Sequence, residues 1–418
     1  MLPAVNSSIL SNVAPSRGED APRLAYLDAT RAFALLLGVV FHASLSFVPV
    51  FMGWAVQDVS TSAWVTVFTT VSHAFRMEVF FWIAGFLGCT ALRRRGAAAF
   101  VRTRVLRIVV PFVVGWFILR PLLVSGWILG AASLRGEADV WAGLRGGFES
   151  LSSLPAGIFT GTHLWFLYYL ALITGLTLVA RACSRATGAW HAVLVGRADA
   201  WIARSAGSPV LPLVLAVPTT IALGFMSRWG VDTPDRSMVP HLPVLGVYGG
   251  FYLLGWMMGR QPKRVAEFSR LSWPRWLQAG CGIGGILLLG AVERDPGHPH
   301  YLAARVVYAV SYAVTMAALA ILTLGVFRTW CPRPHRWVRY AADSSYWLYM
   351  IHLPIVVWLQ VAVAELPFPW SLKLAFVVAT TLVVGWLSYG LFVRSTWVGA
   401  CLQGRRQGRG TRVEAQAK

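Results

Sequence analysis

Two residues that lipid solvates poorly occupy the stretch TRAFALLLGVVFHASL, from Thr30 to Leu45: Arg31 near one end and His42 near the middle. Eleven residues at 100° per step put both on nearly the same helix face, roughly 16 Å apart along the axis. Arg31 alone reads as an end-anchor whose head snorkels to the surface, and Asp28, three residues earlier, can pair with it. His42 lies deeper. It is either a neutral histidine bonded to a neighbouring helix or a group that handles protons. The stretch SHAFRMEVFFWIAGFLG, Ser72 to Gly88, carries His73, Arg76 and Glu78. His73 and Arg76 share a face, whereas Arg76 and Glu78 point apart, so at least one of that pair needs a partner on another helix. Gly85 and Gly88 permit close helix packing.

Three further stretches hold ionisable residues in apolar surroundings. In GTHLWFLYYL, His163 and Trp165 fit an aromatic belt with a boundary histidine. In DSSYWLYMIHLPIVVW, Asp343-Ser344-Ser345 suits a helix N-cap. His352 then lies about 12 Å into the span, and Pro354 loosens the helix beside it. In VRTRVLRIVVPF, Arg104 and Arg107 share a helix face. They either obey the inside-charge rule or form a phosphate clamp for a nucleotide-like donor.

The elements that must position these residues are membrane helices. The 418 residues are 56% hydrophobic and 13% charged, about half the charged share of a soluble domain. Ten spans are expected, at about 30–50, 64–90, 106–130, 158–180, 209–227, 244–259, 277–292, 303–327, 344–363 and 372–393. Those at 244–259 and 277–292 are short and must extend into their flanks, tilt or re-enter. With the amino terminus inside, 27 of the 37 basic residues fall on the inner side and eight on or beside the outer loops. Both termini are therefore placed in the cytoplasm. The net charge of +20 is read as topology and anionic-lipid contact, not nucleic-acid binding. The 20 tryptophans suit interfacial belts. The five cysteines have no Cys-x-x-Cys or His/Cys spacing, so no metal and no disulfide is expected. No removable signal peptide is read in the polar start. The expected organisation is a polar tail over 1–25, a membrane-embedded unit over 26–393 and a basic tail over 394–418, an all-α polytopic bundle.

The order of the Arg31/His42 pair, FFWIAGFL, the Arg104/Arg107 pair, LWFLYYL and SYWLYMIHLP resembles the acyltransferase 3 family, from about residue 24 to 393. The second stretch is most similar to the branch of that family linked to succinylation of osmoregulated periplasmic glucans. The resemblance implies an inner-membrane O-acyltransferase. It implies acyl-CoA (succinyl-CoA or acetyl-CoA) as a donor substrate, with no permanently bound cofactor, and a periplasmic glucan or other glycan as acceptor. Arg31, Arg104 and Arg107 would then meet the donor's phosphates. His42 would act as base or carry the acyl group. Glu78 or His352 would orient its imidazole. His73 or Arg76 would stabilise the oxyanion or hold an anionic acyl tail, and His163 and Trp165 would face substrate. O-acetylation of another envelope glycan, or transport of a sugar or lipid-linked glycan, are the alternatives.

Overall fold

The computed structural model describes residues 24–152 and 162–403. The amino-terminal tail to residue 23, the start of the fourth expected span and the basic tail beyond residue 403 lie outside them. The described residues form helices and no strands. In chain order these are α1 (Ala25–Ser44), α2 (Ala63–His73), α3 (Arg76–Arg104), α4 (Val110–Ser133), α5 (Val140–Glu149), α6 (Trp165–Ala186), α7 (Ala189–Ser205) and α8 (Leu211–Leu223). There follow α9 (Leu242–Arg260), α10 (Val265–Phe268), α11 (Trp273–Leu289), α12 (Tyr301–Trp330), α13 (Arg336–Val363), α14 (Trp370–Ser388) and α15 (Trp397–Gln403).

Eight helical runs among the described residues are long and apolar enough to cross a membrane. One of these, Ala63–Ser133, holds two of the expected spans, because α2, α3, a π-helical turn at Val105–Val109 and α4 follow with almost no interruption. The expected spans at 244–259 and 277–292 extend into their flanks, as α9 and α11. The span expected at 209–227 is the short one: α8 has 13 residues, against the roughly 20 that a crossing needs. The chain is a multi-pass membrane protein.

The expected continuous span at 64–90 is corrected. It breaks between α2 and α3, where Phe75 has φ −140° and ψ −14°. The expected N-cap at Asp343 is corrected too: α13 begins earlier, at Arg336, and Asp343, Ser344 and Ser345 lie inside it, buried. Close packing at Gly85 holds. A Cβ at Gly85 would collide with the Tyr252 carbonyl of α9, and one at Gly255 with the Trp82 carbonyl of α3. Each helix thus supplies a glycine where the other's backbone arrives, as small residues do between membrane helices.

A strap, residues 48–62, leaves the end of α1 and crosses to the α13–α14 corner. Its Asp58 accepts from Lys373 Nζ at 2.8 Å, and Lys373 also donates to the Ala364 carbonyl at 3.1 Å. Both ionic side chains are essentially buried, 2% exposed for Lys373 and 0% for Asp58. Lys373, expected beside an outer loop, is thus an interior cation. A lone charge left behind by a broken buried pair costs about 3–5 kcal/mol. Lys373→Met is expected to lower stability by about that much in detergent thermal melts, and Lys373→Met/Asp58→Leu to recover most of it. Equal losses in single and double variants would contradict a paired origin.

Candidate active site

A continuous cavity of about 2640 Å³ runs through the bundle, well above the roughly 300–1,000 Å³ of a pocket for one small ligand. At one mouth it is lined by Arg31, Arg93, Arg94, Arg104, Arg107 and Arg339. Local backbone chemistry brings them there. Gly96, at φ 76°, takes a conformation that side-chain-bearing residues avoid, and α3 kinks at this point, just past Arg93–Arg95. The chain beyond returns Arg104 to Gly88, where an added Cβ would lie 3.2 Å from Arg104 Nη2. The Arg104 guanidinium rests over the Phe100 ring, 5.0 Å from its centre. Arg107 sits in the π-helical turn, a distortion frequent at functional sites. Pro111, four residues on, has no N–H to offer the Arg107 carbonyl, and the Tyr346 hydroxyl donates to it instead at 2.7 Å. Arg31 donates to the Ala342 carbonyl of α13 and stands 3.8 Å from the Asp28 carboxylate. The expected Arg31–Asp28 pairing is present, and the three arginines singled out from sequence share one mouth.

Further in, three histidines converge. The His42 ring centre is 5.4 Å from that of His352, which is 5.9 Å from that of His163. All three line the cavity. Pro354 accounts for one of them. It withholds the N–H that would bond the Met350 carbonyl within α13, and His163 Nε2 donates to that carbonyl at 2.7 Å. The Tyr349 hydroxyl donates to the His163 carbonyl at 2.8 Å, so α13 grips His163 twice. His352 Nδ1 faces two carbonyls, Tyr349 at 2.7 Å and Leu348 at 3.1 Å, and must therefore carry the proton. These bonds leave a lone pair on His163 Nδ1 and on His352 Nε2. His163 Nδ1 is buried without a partner, and so is His42 Nδ1.

The break between α2 and α3 separates His73 from Arg76. His73 bonds the Tyr312 hydroxyl at 2.9 Å and Thr233 at 3.3 Å. Arg76 is 6% exposed and lies over the Phe41 ring at 4.2 Å, beside His42. It lines the cavity, its Nη1 has no hydrogen-bond partner, and no described carboxylate stands within 4.0 Å of it. The partner expected on another helix is thus an aromatic face and not a carboxylate. Glu78 is 1% exposed and is not among the residues that line the cavity. Two residues' difference on a helix sends Arg76 inward and Glu78 elsewhere. Trp165 lines the cavity and stacks on Tyr248 with ring centres 5.5 Å apart.

Two residues in the site were not visible in the sequence. Trp54, on the strap, stacks on His42 at 5.9 Å and 17°. Gln360 bonds Trp54 Nε1 at 2.9 Å. The opposite mouth is lined by Trp127, Asp232, Asp235, Arg236, Glu293 and Arg294. Burial pushes the Asp235 carboxyl above the usual carboxylate range.

A multi-pass helical bundle with a histidine cluster midway along a cavity, arginines at one mouth and mixed charge at the other, defines an integral membrane enzyme. The acyltransferase domain model matches residues 24–390, so the chain belongs to the acyltransferase 3 family and is a membrane acyltransferase. It is 32% identical over 156 residues to glucans biosynthesis protein C of Escherichia coli (strain K12). The same identity over the same length holds for the proteins of that name from strain K12 / MC4100 / BW2952 and from O1:K1 / APEC. The similarity covers 37% of this chain and 38% of each relative's length. No solved structure matches.

Pro354→Ala supplies an N–H that competes with His163 for the Met350 carbonyl. Acyl transfer is expected to fall on the order of 10-fold or more through misplacement of the ring, while thermal stability holds or rises because alanine is the better helix former. Initial rates measured beside melting curves check this. Wild-type rates in a fully folded variant would show that the freed carbonyl does not fix His163.

Proposed function

We propose that this chain moves an acyl group, succinyl in the first place, from acyl-CoA to a hydroxyl of a periplasmic glucan or similar envelope glycan. The observation that carries the reading is an imidazole with an unpartnered ring nitrogen, midway along a cavity whose one mouth is lined with arginine. The positive-inside rule puts that mouth in the cytoplasm and both termini with it, in the bacterial inner membrane. Guanidinium groups suit the donor's phosphates because they offer planar, paired N–H donors. Arg31, Arg104 and Arg107 fill this role, and Arg93, Arg94 and Arg339 add to the field around it.

The thioester then reaches inward to His42. The acceptor hydroxyl attacks the acyl carbon, His42 takes the hydroxyl proton, the new C–O bond forms and the C–S bond breaks. The proton passes to the departing thiolate, so the imidazole returns neutral. Direct transfer of this kind needs no acyl-histidine, although His42 is equally placed to form one. Arg76, beside His42 and in no ion pair with a described carboxylate within 4.0 Å, supports a donor that ends in its own carboxylate.

Purified chain with labelled succinyl-CoA, acetyl-CoA and a linear glucan tests the reading. His42→Ala is expected to lose at least about 10²-fold in transfer, the scale of general base catalysis. Arg76→Leu is expected to lower kcat/KM for succinyl transfer about 10-fold to 10²-fold, the worth of one charge-assisted hydrogen bond, and to spare acetyl transfer. Equal loss with both donors would assign Arg76 to the oxyanion and not to the acyl tail. Transfer that survives His42→Ala would remove the base from this account.

A further inference from the structure

His42 differs from the other two histidines of the cluster. His163 and His352 each have a ring N–H tied to a backbone carbonyl. His42 Nδ1 is buried and has no partner at all, so no hydrogen bond at that nitrogen sets the plane of the imidazole. Its neighbours are rings: Trp54 parallel to it at 5.9 Å and 17°, Phe41 edge-on at 5.1 Å, and His352 at 5.4 Å. Of these, Trp54 covers a face. Yet Trp54 belongs to the strap and not to a helix, so something outside the strap must hold it flat.

Gln360 does this. It is on α13, 1% exposed, and its carboxamide is used at both ends. Nε2 donates to the carbonyls of His42 at 3.0 Å and Ala43 at 2.9 Å, and Oε1 accepts from Trp54 Nε1 at 2.9 Å. The partners fix the amide's orientation, since two carbonyls require the NH2 and an indole N–H requires the oxygen. The carbonyls it meets lie in the last turn of α1; that of His42 also accepts from the Leu45 N–H at the helix end, so Gln360 adds a second donor there. One neutral side chain thus pins the backbone that carries His42 and the indole that lies over its ring.

We propose that Gln360 is a positioning residue for His42, acting through Trp54 and through the end of α1; the inference rests on His42 being the base of the transfer. Gln360 is not among the residues that line the cavity. Removing it frees the indole to turn and lets the imidazole rotate out of line with the acyl carbon, which costs turnover and leaves donor binding at the distant arginines as it was.

The test combines Gln360→Leu, Trp54→Phe, the double variant and His42→Ala in the full chain in detergent. Transfer from succinyl-CoA to a linear glucan gives kcat and KM, and carbethoxylation of His42 by diethyl pyrocarbonate, followed by mass spectrometry, reads the ring directly without substrate. Gln360→Leu is expected to lower kcat about 10²-fold, the scale of a misplaced catalytic group, with KM for succinyl-CoA within about 2-fold. Trp54→Phe keeps a stacking ring, cuts the link to Gln360 and should lose less. The double variant should resemble Gln360→Leu alone, because coupled residues are not additive. The rate of His42 carbethoxylation should change in Gln360→Leu by several-fold. Additive losses, or a carbethoxylation rate unchanged in both single variants, would overturn the proposal even with His42→Ala inactive. Activity retained in His42→Ala would instead overturn the catalytic reading, and the carbethoxylation rates would still decide whether Gln360 sets the ring. If Gln360→Leu does not fold, Trp54→Phe and Gln360→Glu, which keeps the acceptor for the indole but loses both donors, carry the same comparison.

Discussion

A backbone carbonyl inside a bilayer must find a donor within the protein, because no water is there to supply one. This site is held together by carbonyls that the helices themselves leave open. Pro354 opens Met350, and His163 takes it. The Arg107 carbonyl, which Pro111 cannot serve, takes the Tyr346 hydroxyl. At the end of α1 Gln360 donates to the carbonyls of His42 and Ala43, the first of which also accepts from the Leu45 N–H. Each of these bonds fixes a side chain from a distant part of the sequence in or beside the cavity wall. The proline and the helix end are therefore attachment points, and the strain or propensity they cost is offset by bonds to site residues.

The same constraint separates the three histidines. His163 and His352 are fixed in tautomer by bonds to carbonyls, and each keeps one lone pair for other work. His42 is held by ring contacts; its ring lines the cavity, and its buried Nδ1 has no hydrogen-bond partner. Its neighbours carry no opposing charge to hold it protonated, and Arg76 lies close by over Phe41. A neutral imidazole with a free lone pair is the form that can accept a proton from an attacking hydroxyl. The opposite requirement holds at the arginine mouth, where permanent charge is wanted and where guanidinium groups are spread over α1, the α3–α4 junction and α13. The break between α2 and α3 serves the cavity in its own way. Non-helical backbone at membrane depth is tolerated where it lines a cavity, and here it lets His73 and Arg76 face different neighbours.

Much of this was legible in the sequence. An ionisable residue in an apolar run stands out, so Arg31, His42, His73, Arg76, His163 and His352 were picked out by type alone, and Arg104 and Arg107 by their shared helix face; all eight line the cavity. Each of the ten apolar stretches overlaps a helix among the described residues, and family resemblance named the chemistry. What was not legible has physical causes. Glu78 was as conspicuous as Arg76, but sequence does not say which helix face meets the cavity, and only Arg76 lines it. The break at Ala74–Phe75 has neither proline nor glycine to announce it. The buried pair of Lys373, beside an outer loop, could not be read because its partner Asp58 is over 300 positions away. Gln360 and Trp54 were missed for a related reason. Both are uncharged, so a search for ionisable groups passes over them, and their importance lies in a contact across 306 residues of sequence.

The account's central claim is spatial: the arginine mouth and the histidine cluster are two ends of one path taken by an activated acyl group. The most direct measurement is a cryo-EM structure of the chain with a thioether analogue of succinyl-CoA, which cannot transfer its acyl group. The account predicts phosphates against Arg104 and Arg107, with the acyl carbon near His42 at a separation that leaves room for the attacking oxygen, itself about 3–3.5 Å from that carbon. Phosphates bound at the Asp232–Glu293 mouth, or an acyl end directed away from His42, would contradict it.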